Sequence, residues 1–206
     1  MTADVKKHLP PDGGYGWVIV AAIAISNVIN VPILQGFALL FRNIFIELEM
    51  STTDISMIIN VNSSFGFLLG MMNGPLLKTF GYRKVGMFGT VLMFVGILMT
   101  SRATSFAEFI IFYGLMNSAG LIITMSAFGL AMNTYFVKRR SRASGVCMTV
   151  TGLGPVFMPL VMSKLIDVYG ERGTALIMSG LVLHTFCSAM LMHPIKWHYK
   201  KISQGK

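Results

Sequence analysis

The stretch VIVAAIAISNVINVPILQGFALLF, from Val18 to Phe41, decides the fold of this chain because it holds no Asp, Glu, Lys or Arg. About 20 apolar residues in a helix cross a hydrocarbon core about 30 Å thick. Five more charge-free runs follow, at Ile55 to Leu77, Val85 to Thr100, Phe109 to Val137, Ala143 to Ser163 and Gly173 to Met192. The sequence therefore predicts an all-α membrane protein built as a bundle of six transmembrane helices.

The composition and the placement of charge agree with this prediction. Hydrophobic residues make up 54% of the chain and charged residues 12%, whereas roughly 25% of an ordinary soluble domain is charged. Most of the 17 Lys and Arg residues lie before run one, between runs two and three, between runs four and five, and after run six. Because cytoplasmic loops carry such an excess, both ends are expected in the cytoplasm. Basic charge spread over four short segments also argues against nucleic-acid binding.

The sequence lacks the residue patterns typical of metal sites, channels and enzymes. Cys147 and Cys187 fall inside apolar runs without metal-ligand spacing to a His, so we expect no metal site and no cofactor. The runs hold no ring of charges and no cluster of acids and bases, which argues against a channel and against an enzyme. The first run is too long for the core of a signal peptide and is interpreted as an uncleaved targeting signal.

Polar side chains inside the apolar runs mark faces that avoid lipid. In the first run, amides accompany Pro32, and this composition predicts an interrupted helix. Amides and hydroxyls are costly in hydrocarbon, so they either bond between helices or line a water-filled path. Both interpretations stay open from the residues alone. The candidates for a solute path are Asn27, Asn30, Gln35, Asn60, Asn117, Thr124 and Ser126.

Two short segments form a weak internal repeat. Phe80-Gly81-Tyr82-Arg83 follows the second run, and Tyr169-Gly170-Glu171-Arg172 follows the fifth. Three runs separate the two segments, so they fall on opposite sides of the membrane, as an inverted three-plus-three repeat requires. Tight Gly turns at helix junctions are common, and chance is the alternative explanation.

The segment Asp12-Gly13-Gly14-Tyr15-Gly16-Trp17 combines a turn with two aromatic rings suited to a membrane interface. It resembles the signature of the monocarboxylate transporter family of solute carriers, within the major facilitator superfamily. The block Tyr135-Phe136-Val137-Lys138-Arg139-Arg140, followed by Ala143 and Gly145, is similar to a second signature of that family.

A third stretch, from Gly74 to Lys84, is similar to a loop that is widespread in the superfamily. Lys78 stands where that loop often has Asp, so the usual charge contact of the loop is in question. The resemblance implies that cytoplasmic loops with a part in gating contain Gly74, Gly81, Arg83, Arg139, Arg140 and Gly145.

The resemblance implies the N-terminal six-helix half of a major facilitator fold, with its inverted three-plus-three repeat. Residues 1–17 would form a cytoplasmic N-terminal segment that carries the signature, residues 18–193 the transmembrane bundle, and residues 194–206 a basic cytoplasmic tail. It also implies transport of small carboxylates by alternating access, often coupled to protons, in the plasma membrane.

One position departs from the carboxylate-transporting members, which have a Lys on the first helix where this chain has Gln35. A neutral amide neither neutralises a carboxylate nor holds a proton in exchange for one. A zwitterionic or neutral solute is therefore an alternative to a monocarboxylate.

The resemblance also implies partners: the solute, with or without protons, the lipid bilayer, and a single-span accessory membrane glycoprotein or a second transporter half. The alternative function is a truncated half that does not transport alone and associates with another half.

Overall fold

The computed structural model describes residues 13–193, and in this part of the chain every regular element is helical. The predicted tail, 194–206, and residues 1–12 lie outside the described residues. The elements are α1 (Tyr15–Gln35), α2 (Phe37–Leu40), α3 (Arg42–Glu47), α4 (Thr52–Phe80), α5 (Tyr82–Thr100), α6 (Phe106–Phe109), a π-helix (Ile110–Asn117), α7 (Ser118–Tyr135) and α8 (Arg140–Leu191). Five helical stretches, the last of them α8, are long and apolar enough to cross a membrane.

The last helix, α8, contains the fifth and sixth predicted runs and is broken between them. Gly170 has non-helical dihedral angles, φ 70° and ψ 177°, which divide α8 into a first arm (140–169) and a second arm (171–191). In a straight helix Ala143 and Ala189 would lie about 70 Å apart, yet both belong to one packed cluster. The arms therefore fold back on each other. The two arms correspond to the fifth and sixth predicted helices, which Gly170 joins without a loop.

The first predicted run is interrupted, as its composition predicts, and the break falls at Gly36. α1 continues through Asn27, Asn30 and Pro32 and ends at Gln35, and the short helices α2 and α3 follow Gly36. Asn30 is satisfied by Thr185 of the second arm, so its amide does not compete with the helix backbone. The break comes one turn after Pro32, whose carbonyl accepts a 2.7 Å hydrogen bond from the Gly36 N–H.

Close helix contacts in the middle of the bundle depend on glycine. A Cβ atom added at Gly120 of α7 would lie 2.3 Å from the backbone nitrogen of Met93 in α5. A Cβ at Gly96 of α5 would lie 2.8 Å from the backbone nitrogen of Asn117. Small residues at these positions let two helix backbones approach without a side chain between them.

The connecting segments gather at two opposite ends of the bundle. One end, the basic end, packs the start of α1 and the end of α7 against the start and the end of α8, including Ile19, Tyr135, Ala143 and Met192. The other end, the acidic end, packs α2 and α3 against Ile58, Ala103 and Ala175. The basic segments between predicted runs thus lie together, and the segments that hold Glu47, Asp54, Glu108 and Glu171 lie at the other end.

The two glycines of the predicted repeat have similar backbone conformations. Gly81 has φ 79° and ψ 151°, and Gly170 has φ 70° and ψ 177°. Each joins two helices directly, Gly81 at the basic end and Gly170 at the acidic end. Side chains with a Cβ rarely adopt such angles. The match supports the inverted three-plus-three repeat.

Candidate solute cleft

A cleft of about 450 Å³ opens between α1, α7 and the first arm of α8. Such a volume is typical of small-molecule sites, which occupy roughly 300 to 1,000 Å³. It is lined by Ile23, Asn27, Val31, Gln35, Met125, Phe128, Gly129, Met132, Ser144, Cys147, Met148, Thr151, Gly152 and Pro155.

Helical periodicity brings these residues to one surface. On α1 the lining positions recur every four residues, from Ile23 to Gln35. On the first arm they recur at three- and four-residue steps, from Ser144 through Met148 to Pro155. Residues at this spacing share one face of a helix. Each of the three helices therefore contributes a single face to the cleft.

The polar groups of the cleft are uncharged. Among the described residues that line it there is no Asp, Glu, Lys or Arg. Within the described structure, the Oδ1 atom of Asn27 and the Oγ1 atom of Thr151 are buried without a hydrogen-bond partner. The Thr151 hydroxyl lies beside the Cys147 thiol and can donate to its sulfur, but sulfur is a weak acceptor, and the Thr151 oxygen keeps its own capacity to accept. Two neutral polar side chains with unused bonding capacity thus border the cleft.

Two predicted path residues lie together in the bundle interior, away from the cleft. Asn30 and Asn117 are buried and border a void of about 10 Å³ between α1, α5 and α7. The Asn30 amide donates to the Thr185 hydroxyl over 3.2 Å. Of the predicted path residues, the structure brings only Asn27 and Gln35 to the cleft.

The other three predicted path residues have different neighbours. Asn60 is exposed on α4, in a separate shallow groove of about 380 Å³. Thr124 is buried against Gly89 of α5. The Ser126 hydroxyl accepts a 2.9 Å hydrogen bond from the Asn73 amide of α4, which fits the interhelical interpretation.

The two blocks that carry the family resemblance contact each other at the basic end. The Trp17 and Phe136 rings meet edge to face with centroids 5.3 Å apart, and a Cβ at Gly16 would lie 2.8 Å from the Phe136 ring. The Tyr15 hydroxyl donates to the Leu191 carbonyl over 2.7 Å. Gly14 has φ 57°, which glycine tolerates. Gly13 precedes it, and Asp12 lies outside the described residues.

The predicted loop residues also lie at the basic end. Gly81 makes the turn between α4 and α5, and the Arg83 Nε atom is buried without a hydrogen-bond partner in the described structure. Lys78 is exposed one turn before Gly81, so the position where the superfamily loop often has Asp offers Arg83 no carboxylate. Gly74, Arg139, Arg140 and Gly145 are exposed.

Several cleft residues were missed by the sequence interpretation. Cys147, Met125, Met132 and Met148 line the cleft, and none of them is among the path residues predicted from the sequence. Thr151 was not singled out. The sequence signal for these residues was the three- and four-residue spacing from Ser144 to Pro155, which places them on one helix face. The same spacing occurs on faces that pack against other helices, so the sequence alone does not identify a cleft.

The sequence pattern of the Major Facilitator Superfamily matches residues 16–200. The chain belongs to this superfamily. Its relatives include Monocarboxylate transporter 13 of Bos taurus, 28% identical over 186 residues, which are 90% of this chain and 44% of that protein. Monocarboxylate transporter 2 of Meriones unguiculatus is 29% identical over 198 residues, which are 94% of this chain and 40% of that protein.

Monocarboxylate transporter 1 of Rattus norvegicus is 26% identical over 202 residues, 97% of this chain and 40% of that protein. These similarities confirm the resemblance seen in the sequence. These relatives are named as transporters, not as enzymes. This major facilitator chain spans about two-fifths of the length of the curated relatives it matches.

Proposed function

We propose that this chain is one bundle of a membrane transporter that moves a small organic solute by alternating access. The observation that carries the proposal is the cleft between α1, α7 and the first arm of α8, which places unpaired neutral polar groups inside a membrane-spanning bundle. Irregular or polar surfaces are tolerated at membrane depth where they line a cavity. The cleft is the proposed solute path.

A second bundle is proposed to complete the path. Of the five long helices, α4 is the least buried, and it exposes Asn60 together with Met71 and Met72. Gln35 of α1 is exposed as well. Amides facing hydrocarbon cost free energy, so the surfaces around Asn60 and Gln35 are each expected to face protein or water. The greater length of the relatives fits a path formed between two bundles.

The orientation follows from charge. The basic end is proposed to face the cytoplasm, with both termini on that side, because basic residues are retained there. The plasma membrane is the proposed location, and a single-span accessory glycoprotein or a second transporter half the proposed protein partner. Candidate solutes are a monocarboxylate, moved with or without a coupled proton, and a zwitterionic or neutral metabolite.

The second candidate function is a half that binds solute without transporting it alone. A single bundle cannot rock against a partner, and alternating access needs that motion. The exposed Gln35 side chain, which lines the cleft, favours this candidate for the isolated chain, since it shows that the cleft is open at that position.

The test is reconstitution of the purified chain in liposomes at protein densities that give mainly single copies or mainly crosslinkable pairs. Uptake and equilibrium binding of a panel of radiolabelled monocarboxylates, amino acids and neutral amides are then measured. Saturable uptake only from paired copies supports the assembled transporter, and solute binding without uptake in either state supports the second candidate. Saturable uptake by single copies contradicts the need for a second bundle. The absence of both binding and uptake contradicts both candidate functions.

A further inference from the structure

The two sides of the cleft differ in chemistry. The α7 side presents Met125, Phe128 and Met132, and the neighbouring surface of the first arm adds Cys147 and Met148. Thioether sulfur is polarisable, makes favourable contacts with aromatic rings, and sits on a flexible side chain that adapts its shape. This side of the cleft therefore suits an aromatic ring or another bulky apolar group.

The α1 side presents hydrogen-bonding groups without charge. Asn27 has a buried Oδ1 atom with no partner in the described structure, and Thr151 faces the same cleft from the first arm. An amide supplies both a donor and an acceptor, so rotation of the Asn27 group can offer either one to a solute. These groups match an amide or a hydroxyl.

A carboxylate finds no counter-charge on this surface. The first arm carries Arg140 one turn before Ser144, but Arg140 is exposed and does not line the cleft. Gln35, the lining residue at the end of α1, carries a neutral amide. An anion moved from water into this cleft would lose hydration without gaining an ion pair.

Resting on the proposed function, we propose that this cleft binds an uncharged solute made of an aromatic ring and an amide or hydroxyl substituent. The ring packs on the methionine and phenylalanine surface of α7, and the substituent bonds to Asn27 and Thr151. The cleft discriminates against the matching carboxylate, because the substituent is then an anion without a partner.

The test compares nicotinamide with nicotinate, two probes of nearly the same shape that differ in the charge of one substituent. The purified chain carries Cys187→Ser, so that Cys147 is its one remaining thiol. The rate at which N-ethylmaleimide modifies Cys147 is measured at neutral pH with increasing concentrations of each probe. Nicotinamide is expected to slow the modification at a concentration at least about tenfold lower than nicotinate does.

A matched pair of variants locates the bound probe. Asn27→Leu removes the amide from the cleft and is expected to raise the half-protecting concentration of nicotinamide about threefold to tenfold, the loss of one hydrogen bond. Asn133→Leu makes the same change on α7 outside the cleft lining and serves as the control. Equal effects of the two variants contradict the assigned position.

The outcomes distinguish a failure of the proposed solute preference from a failure of the proposed transporter function. Protection by nicotinate at an equal or lower concentration overturns the preference for a neutral solute and leaves the proposed transporter function intact. Absence of protection by both probes overturns the aromatic amide assignment. If the wider panel of solutes in the liposome experiment also fails to bind, the proposed function fails with it.

Discussion

The Trp17 ring lies edge to face against the Phe136 ring, with 5.3 Å between their centroids. Trp17 stands at the start of α1, and Phe136 directly follows α7 and precedes the first arm of α8. These are the helices that border the cleft. The contact therefore fixes the helices of the cleft relative to one another at the basic end, and it gives a physical reason for the two sequence blocks to occur together.

The Trp17 and Phe136 rings are expected to stabilise the bundle through their contact with each other. Trp17→Ala and Phe136→Ala should each destabilise the bundle, and the double variant should lose less than the two single losses combined. The coupling free energy is expected to be about 0.5 to 1.5 kcal/mol. Thermal or denaturant unfolding in detergent micelles measures it. Strictly additive losses would show that the two rings contribute independently.

Glu171 is expected to stabilise the acidic end. Its carboxylate accepts hydrogen bonds from the backbone N–H groups of Asn43, at 2.5 Å, and Ile44, at 2.8 Å, at the start of α3. Glu171→Gln replaces one acceptor by a donor that faces another donor, and should cost about 1 to 3 kcal/mol of unfolding free energy.

Asp167→Asn is the matched control, because Asp167 is exposed one turn before Gly170. It should change the stability by no more than about 0.5 kcal/mol. Equal losses from the two variants would mean that the Glu171 hydrogen bonds are not the source of the effect.

The orientation of the bundle yields a separate prediction. Tags placed at the two termini should both be labelled by antibody only after the cell membrane is permeabilised, because the basic end is expected inside. Extracellular labelling of either tag on intact cells would refute the assigned orientation. The described structure already places residues 15 and 191 together at one end, through the Tyr15 hydroxyl and the Leu191 carbonyl.

Gln35→Lys is expected to move the solute preference toward anions. A cation in the cleft stabilises a bound carboxylate in a medium of low dielectric constant, so binding of radiolabelled lactate should increase. The competing expectation is a folding defect, since an unpaired cation that faces hydrocarbon costs up to roughly 3 kcal/mol. Expression level distinguishes the two. A well-expressed variant with unchanged preference would remove Gln35 from the solute path.

The sequence predicts the helices better than the contacts between them. Charge-free length alone locates the spanning segments, since hydrocarbon thickness sets that length. The direct junction at Gly170 escapes prediction in detail because one residue at positive φ turns the chain without any loop. The π-helix from Ile110 to Asn117, which packs against α4 and α5, also escapes prediction, because its apolar residues are equally compatible with an α-helix.

The contacts between helices also explain why only some of the predicted path residues line the cleft. Amides in a spanning helix have two satisfactory environments, a neighbouring helix or a cavity, and the sequence does not state which one each residue meets. Asn30 bonds to Thr185 in the interior, whereas Asn27, one turn earlier on α1, borders the cleft. Only the arrangement of the neighbouring helices separates them.

The most direct test of the cleft as a solute path is the water accessibility of two positions on the first arm of α8. Met148 lines the cleft, and Leu153 is exposed on the opposite face of the same helix. Met148→Cys and Leu153→Cys are made in a background of Cys147→Ala and Cys187→Ala and placed in lipid nanodiscs. A membrane-impermeant thiol reagent is expected to modify the cysteine at 148 at least about tenfold faster, because thiolates form in water and not in hydrocarbon. Equal rates, or faster modification at 153, would contradict the account.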